Sequence, residues 1–344
     1  MASARSKLLN SVTRVLMRVI FRERKPVAEY REIMERLDQK RIKPLPSDIT
    51  TEDANGPVLG RWVRNAKATS AQVILYLPGG AFIMRLPHGH THLVARICQQ
   101  TGASAFMAFY RLAPEHRFPA GPEDCLAAYR SLLAAGHQPG DIVIMGDSAG
   151  GNLALALLHQ IRAAKLPMPS GVVALSPITD FVQVSATWRM NRWRDPMYRV
   201  QGFVNPVEWY LQGASPMDPV ASPYYGDLTG FPPMYFLVGG LEALLDDSVG
   251  MVRKAIESGV RAKLHIWQGM PHVFLLRDFL PESRLALREV AAWLTALRKP
   301  ASPVKAVYDD CVEFFELQAF TGRVRRETNN AYLDVPSVKS GGGI

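Results

Sequence analysis

Ser148 is the residue whose setting most suggests chemistry. It stands in Asp141-Ile-Val-Ile-Met145-Gly-Asp-Ser148-Ala-Gly-Gly-Asn152, where a short apolar run meets glycine-flanked serine and an Ala/Leu-rich helical pattern follows at once. Strand, turn and helix in that order make G-x-S-x-G a nucleophile elbow, which lifts a hydroxyl clear of the sheet. The serine then sits at a helix N-terminus, where backbone N–H groups favour developing negative charge. A hydroxyl is a poor nucleophile until a base takes its proton, and imidazole is suited to that task near neutral pH. His272, in Gly269-Met-Pro-His272-Val-Phe274, follows the last core apolar run and precedes the last long helix of the core pattern.

A carboxylate is needed to fix the tautomer of that imidazole and to stabilise its cation. Glu242 lies nearest the end of the preceding strand in Gly239-Gly-Leu-Glu242-Ala-Leu-Leu-Asp246-Asp247. Asp246 is the alternative acid, although Asp246 and Asp247 also suit the first turn of a helix. Acyl transfer further needs N–H donors aimed at a carbonyl oxygen as it becomes negative, each worth about 3–4 kcal/mol of barrier. The residue after the nucleophile, Ala149, offers one. Pro78-Gly79-Gly80-Ala81-Phe82 offers others, its small residues letting backbone approach a ligand.

The remaining histidines suggest less. His88, His90 and His92 form an H-x-H-x-H run without neighbouring acidic or Cys ligands, so metal binding is not expected there. His116, His137, His159 and His265 read as structural or surface residues. Cys98, Cys125 and Cys311 are too few and too scattered for a disulfide framework or a zinc site, which fits a reducing compartment.

The positioning elements follow from pattern. Short apolar runs at Val73–Leu77, Ala103–Phe109, Ile142–Met145, Val172–Leu175, Met234–Val238 and Leu264–Trp267 alternate with helical patterns at 89–100, 122–135, 150–164, 246–258 and 282–298. Such alternation predicts a mostly parallel sheet covered by helices on both faces, preceded by a hairpin strand near Val58–Val63. Nearly sixty residues between Leu175 and Met234 exceed a plain connection. They carry Trp188, Met190, Trp193, Met197, Phe203 and Trp209, expected to form cap helices and an apolar wall for substrate.

At each end the character changes. Of the net charge of +9, +7 lies in residues 1–45, with 12 Lys/Arg against 5 Asp/Glu, so the body is not a nucleic-acid-binding surface. Residues 7–23 read as an amphipathic helix, with Leu8, Val12, Val15, Leu16 and Val19 on one face and Arg14, Arg18 and Arg22 in a basic stripe. That apolar face is expected to pack on the body; peripheral contact with a membrane is the alternative. A second helix is expected over Val27–Asp38. No apolar run approaches the ~18–20 residues of a membrane span, the arginines interrupt any signal-peptide core, and a cytoplasmic protein is expected. Val304–Phe320 reads as a further helix and 321–344 as a disordered tail.

These motifs together resemble the hormone-sensitive-lipase-like branch of the α/β-hydrolases, the bacterial family IV esterases. The match runs from residue 55 to 298 through Tyr110-Arg-Leu-Ala-Pro-Glu115, Phe118-Pro-Ala120, Gly146-Asp-Ser148-Ala-Gly-Gly-Asn-Leu-Ala154, Glu242-Ala-Leu-Leu-Asp246 and Pro271-His272-Val-Phe. The resemblance implies an α/β-hydrolase fold with a helical cap. It places an N-terminal cap segment at 1–50, a catalytic domain at 51–299 with a cap insertion at about 181–228, and appended residues at 300–344. Ser148, Glu242 and His272 become nucleophile, acid and base, and Gly79, Gly80, Ala81 and Ala149 form the oxyanion hole. No metal or cofactor is implied. The partner is a small ester or lactone, with a homodimer through edge strands. Arg111 and Glu115 are expected to pair with each other. The chain departs from the family where Pro78 and Ala81 replace the first and last residues of its HGGG loop, so the usual His brace is missing. A ligand-binding homologue without activity and a membrane-associated lipid hydrolase are the competing readings.

Overall fold

Strand β3 (Val73–Leu77) shows why the centre of this molecule is a sheet. All five side chains are buried. Val73, Leu75 and Leu77 join one hydrophobic cluster, while Ile74 and Tyr76 join the other. A strand buried on both faces must lie inside a helix-covered sheet, and each such side chain contributes about 1.5–3 kcal/mol.

The computed structural model describes residues 2–23, 25–197, 207–298 and 330–335. Around β3 lie β1 (Ile49–Asn55), β2 (Leu59–Asn65), β4 (Ser104–Ala108), β5 (Ile142–Asp147), β6 (Gly171–Leu175), β7 (Met234–Gly239), β8 (Ala262–Trp267) and β9 (Asn330–Val335). Their order is β1-β2-β4-β3-β5-β6-β7-β8-β9. The run from β4 to β8 is parallel, while β1, β2 and β9 are antiparallel additions. Helices α1 (Ala4–Ile20), α2 (Val27–Gln39), α3 (Pro87–Thr101), α4 (Ala120–Ala134), α5 (Ala149–Ala163), α6 (Ala186–Met190), α7 (Leu245–Glu257) and α8 (Pro281–Ala296) complete the elements used below.

Three expectations change. The apolar face of α1 is turned outward: Leu8, Val12, Val15, Leu16 and Val19 are exposed, whereas Ser6, Asn10, Thr13, Met17 and Ile20 are buried. The polar anchors explain this orientation. Ser3 and Ser6 hydrogen-bond the Glu282 carboxylate, and Asn10 Nδ2 donates to the Gly269 carbonyl. The tail is not wholly irregular either, because residues 330–335 pair antiparallel with β8. An open strand edge carries unpaired N–H and C=O groups, and this short segment satisfies them. The expected helix at 304–320 lies outside the described residues, as does Cys311. Arg111 and Glu115 do not pair. Residues 111–115 run through a loop and turn, so no helical i,i+4 neighbourhood exists. Arg111 instead binds Asp124 at 2.9 Å and Glu123 at 3.3 Å, and Glu115 receives both Nη groups of Arg31 at 2.7 Å.

The register delivers the loops. Leu77 pairs with Gly146, Asp147 with Leu175, and Gly239 with Trp267, so the segments after β3, β5, β6, β7 and β8 leave the same edge of the sheet. Gly150 lets α5 start immediately against this edge. A Cβ there would lie 1.9 Å from the Leu77 carbonyl oxygen. Gly150→Ala is therefore expected to cost about 3 kcal/mol in urea denaturation. Gly140→Ala, where a Cβ meets nothing within 4 Å, should change stability by less than about 0.5 kcal/mol.

Candidate active site

Ser148 caps α5 with φ 54° and ψ −119°, a strained conformation for a residue with a side chain. The strain is held by its neighbours: Ser148 N–H donates to the Leu175 carbonyl at 2.8 Å, and its own carbonyl accepts from Asn152 N–H at 3.0 Å. Its hydroxyl Oγ lies 2.9 Å from His272 Nε2.

On the far side of the ring, His272 Nδ1 lies 2.7 Å from Glu242 Oε2. The other carboxylate oxygen, Oε1, accepts from Ser176 Oγ at 2.7 Å and Gly239 N–H at 2.5 Å. Glu242 is fully buried, so each of these donors helps to replace lost water. Burial opposes a charge on His272, but the Glu242 charge and hydrogen bond outweigh it, and its pKa is raised. Asp246 is not at His272; its carboxylate accepts from Thr187 N–H at 2.9 Å. Asp247 accepts from Thr179 N–H at 2.6 Å. Glu242 and Asp246 are thus separated by tertiary placement, one toward the imidazole and one toward α6.

The loop Pro78–Ala81 leaves β3 beside the elbow. Gly80 has φ 138°, and a Cβ there would meet the Met84 carbonyl oxygen at 2.1 Å, so glycine is required. Among the described residues no hydrogen bond takes the Gly80 or Ala81 N–H, and the Ala149 N–H, at the first position of α5, has no intrahelical acceptor. Gly79 differs from the expectation. Its N–H donates to Asp147 Oδ1 at 2.9 Å, which removes it from the donors facing a substrate.

That bond belongs to a set of residues that sequence reasoning missed. Asp147, buried beside Ser148, also accepts from Tyr76 Oη at 2.7 Å and lies 3.1 Å from His90 Nε2. Burial disfavours both charges, yet each partner stabilises the other: the His90 pKa is raised and that of Asp147 lowered. His90 is therefore an ion-pair partner on α3, and its place in an alternating His run was the only signal. No group of three or more metal-ligating side chains occurs among the described residues. Pro78, which replaces the expected His, is braced by Tyr110, whose hydroxyl donates to the Pro78 carbonyl at 2.6 Å. The candidate apolar wall divides. Trp188, Met197 and Trp209 pack against the core, Met190 and Trp193 are exposed, and Phe203 lies outside the described residues.

Comparison with known proteins agrees with the fold. A family model described as alpha/beta hydrolase fold matches residues 74–276, and the chain belongs to that family. Within it, the chain falls in the hormone-sensitive-lipase-like branch and is a hydrolase of the esterase class. It is 36% identical over 250 residues to an acetyl-hydrolase of Streptomyces hygroscopicus, covering 72% of this chain and 82% of that protein. An esterase of Acinetobacter venetianus is 34% identical over 234 residues, covering 67% and 77%. Among solved structures, the esterase EstE5 soaked with p-nitrophenyl butyrate superposes with a TM-score of 0.79 at 34% identity, covering 86% of this chain and 99% of that one.

The raised His272 pKa has a direct readout. In an NMR titration the imidazole should protonate at a midpoint above the ordinary value of about 6.5. In Glu242→Gln, which removes the charge that outweighs burial, the midpoint should fall. An unchanged midpoint would separate Glu242 from His272 electrostatically.

Proposed function

We propose that this protein is a serine carboxylic-ester hydrolase acting through an acyl-enzyme on short-to-medium acyl esters or lactones. The observation that carries this reading is the 2.9 Å approach of His272 Nε2 to Ser148 Oγ at a positive-φ elbow, with Glu242 on the opposite ring nitrogen. Ser148 Oγ attacks the ester carbonyl carbon and passes its proton to His272 Nε2. The carbonyl oxygen, now negative, is received by the N–H groups of Gly80, Ala81 and Ala149. As the tetrahedral intermediate collapses, His272 returns the proton to the leaving alkoxide and the acyl group stays on Ser148. Water then attacks the acyl carbon as His272 Nε2 takes its proton; the bond from the acyl carbon to Ser148 Oγ breaks, His272 returns that proton to Ser148 Oγ, and the carboxylic acid leaves. Glu242 does not take the proton; it orients the ring and stabilises its cation.

Small acyl groups are favoured by the company the chain keeps. One relative is named an acetyl-hydrolase, an ethyl acetate hydrolase of Pseudomonas putida is 30% identical over 244 residues, and EstE5 was soaked with a butyryl ester. The chemistry needs no metal or organic cofactor, because imidazole and backbone N–H groups supply proton transfer and charge stabilisation.

The test is a series of p-nitrophenyl esters of graded acyl length. Acetyl to octanoyl esters should turn over fastest, and Ser148→Ala should reduce kcat by at least about 10³-fold. Glu242→Gln should lose on the order of 10³–10⁴-fold in kcat, while Asp246→Asn stays within about tenfold of wild type. Wild type no faster than Ser148→Ala on every ester would leave a binding protein in place of an enzyme.

A further inference from the structure

Helix α1 is amphipathic in the sense opposite to a packed cap. Leu8, Val12, Val15, Leu16 and Val19 are 67%, 54%, 61%, 37% and 68% exposed. They follow i, i+4, i+7, i+8 and i+11 spacing, so they form one continuous stripe along the solvent side of the helix. Single exposed apolar side chains are ordinary, but five in line mark a surface that meets something apolar.

Charge says which apolar surface. Residues 1–22 contain Arg5, Lys7, Arg14, Arg18 and Arg22 and no Asp or Glu. Among the described residues, no carboxylate pairs with any of the five. A second copy docked on this stripe would set five positive charges against five more. A bilayer with anionic headgroups complements both the stripe and its charge.

Exposed apolar side chains also flank α1. Arg14 Nη2 donates to the Arg194 carbonyl at 3.2 Å, which brings the segment carrying Trp193 and Met190 beside the helix. Those two side chains are 65% and 70% exposed, and an indole is well suited to the depth of lipid headgroups. No helix among the described residues is long and apolar enough to cross a membrane, so α1 would lie in the plane of the surface.

We propose that the outward face of α1, flanked by Met190 and Trp193, docks the protein on an anionic phospholipid surface. The docking face shares its supports with the candidate active site. Asn10 Nδ2 donates at 3.0 Å to the carbonyl of Gly269, in the His272 loop, and Asn191 Nδ2 donates at 2.9 Å to the Glu242 carbonyl. Docking therefore holds the edge bearing Ser148 and His272 close to the surface, where apolar esters concentrate. This goes beyond ester hydrolysis and does not depend on it.

Full-length protein is sedimented with phosphatidylcholine vesicles with and without phosphatidylglycerol. Binding should require phosphatidylglycerol and weaken as salt rises. Val12→Ser/Val15→Ser/Val19→Ser and, separately, Arg18→Gln/Arg22→Gln should each lower vesicle partitioning by about tenfold or more. Both variants alter exposed side chains, and their thermal melts and hydrolysis of dissolved p-nitrophenyl butyrate should match wild type. Vesicle binding that is absent, or retained by the triple Ser variant, overturns the proposal. Concentration-dependent self-association abolished by the triple Ser variant would assign the stripe to a second copy and also overturn it. Hydrolysis absent from wild type would defeat the proposed reaction and leave the vesicle measurement intact.

Discussion

The buried carboxylate of Asp147 holds the candidate site together. Removing an ionised carboxylate from water costs several kcal/mol unless donors replace the lost hydration. Asp147 finds them on Tyr76 at the end of β3, Gly79 in the loop that follows and His90 on α3. It also directly precedes Ser148. One side chain thereby couples the Ser148 elbow to the Gly79–Ala81 loop, and none of its three partners can leave without exposing a buried charge. The Tyr110 hydroxyl on the Pro78 carbonyl supplies the second brace. Together they brace the loop in which Pro78 stands where the family pattern has a histidine.

Electrostatics on the opposite side follow the same logic. Glu242 is buried, and Ser176, Gly239 and His272 share its two oxygens. A second buried carboxylate, Asp195, stands nearby and accepts from Ala243 N–H at 2.8 Å. Burial, with a further contribution from the Glu242 charge, pushes Asp195 up to about 6. Both carboxylates favour the charged imidazole, and the net direction of His272 reflects their sum against desolvation. The site thus stabilises positive charge on the His272 ring.

Two departures show where local pattern misleads. Hydrophobic periodicity identified α1 correctly as an amphipathic helix, yet its apolar stripe faces solvent. Periodicity reports which residues share a face; the direction of that face is decided by what anchors the other side, here Ser6 and Asn10. The Arg111–Glu115 pairing failed for a related reason. The resemblance suggested the pair, but this segment is a loop and turn whose charges find partners on α2 and α4.

The core elements were legible in the sequence because strands buried on both faces must be uninterrupted apolar runs, and the helices covering them must be periodic. The order of Ser148, Glu242 and His272, each in a segment after such a run, was legible for the same reason: parallel strands send those segments to one edge. Long-range pairing was not legible. Which N–H of the Gly79–Ala81 loop is already used, and that Asp147 joins α3 to the elbow, both depend on distances between segments tens of residues apart. Residue types and spacing determined which groups were available. Only the packed sheet and its register decided which of them touch, because burial makes every charge and donor find its partner in space.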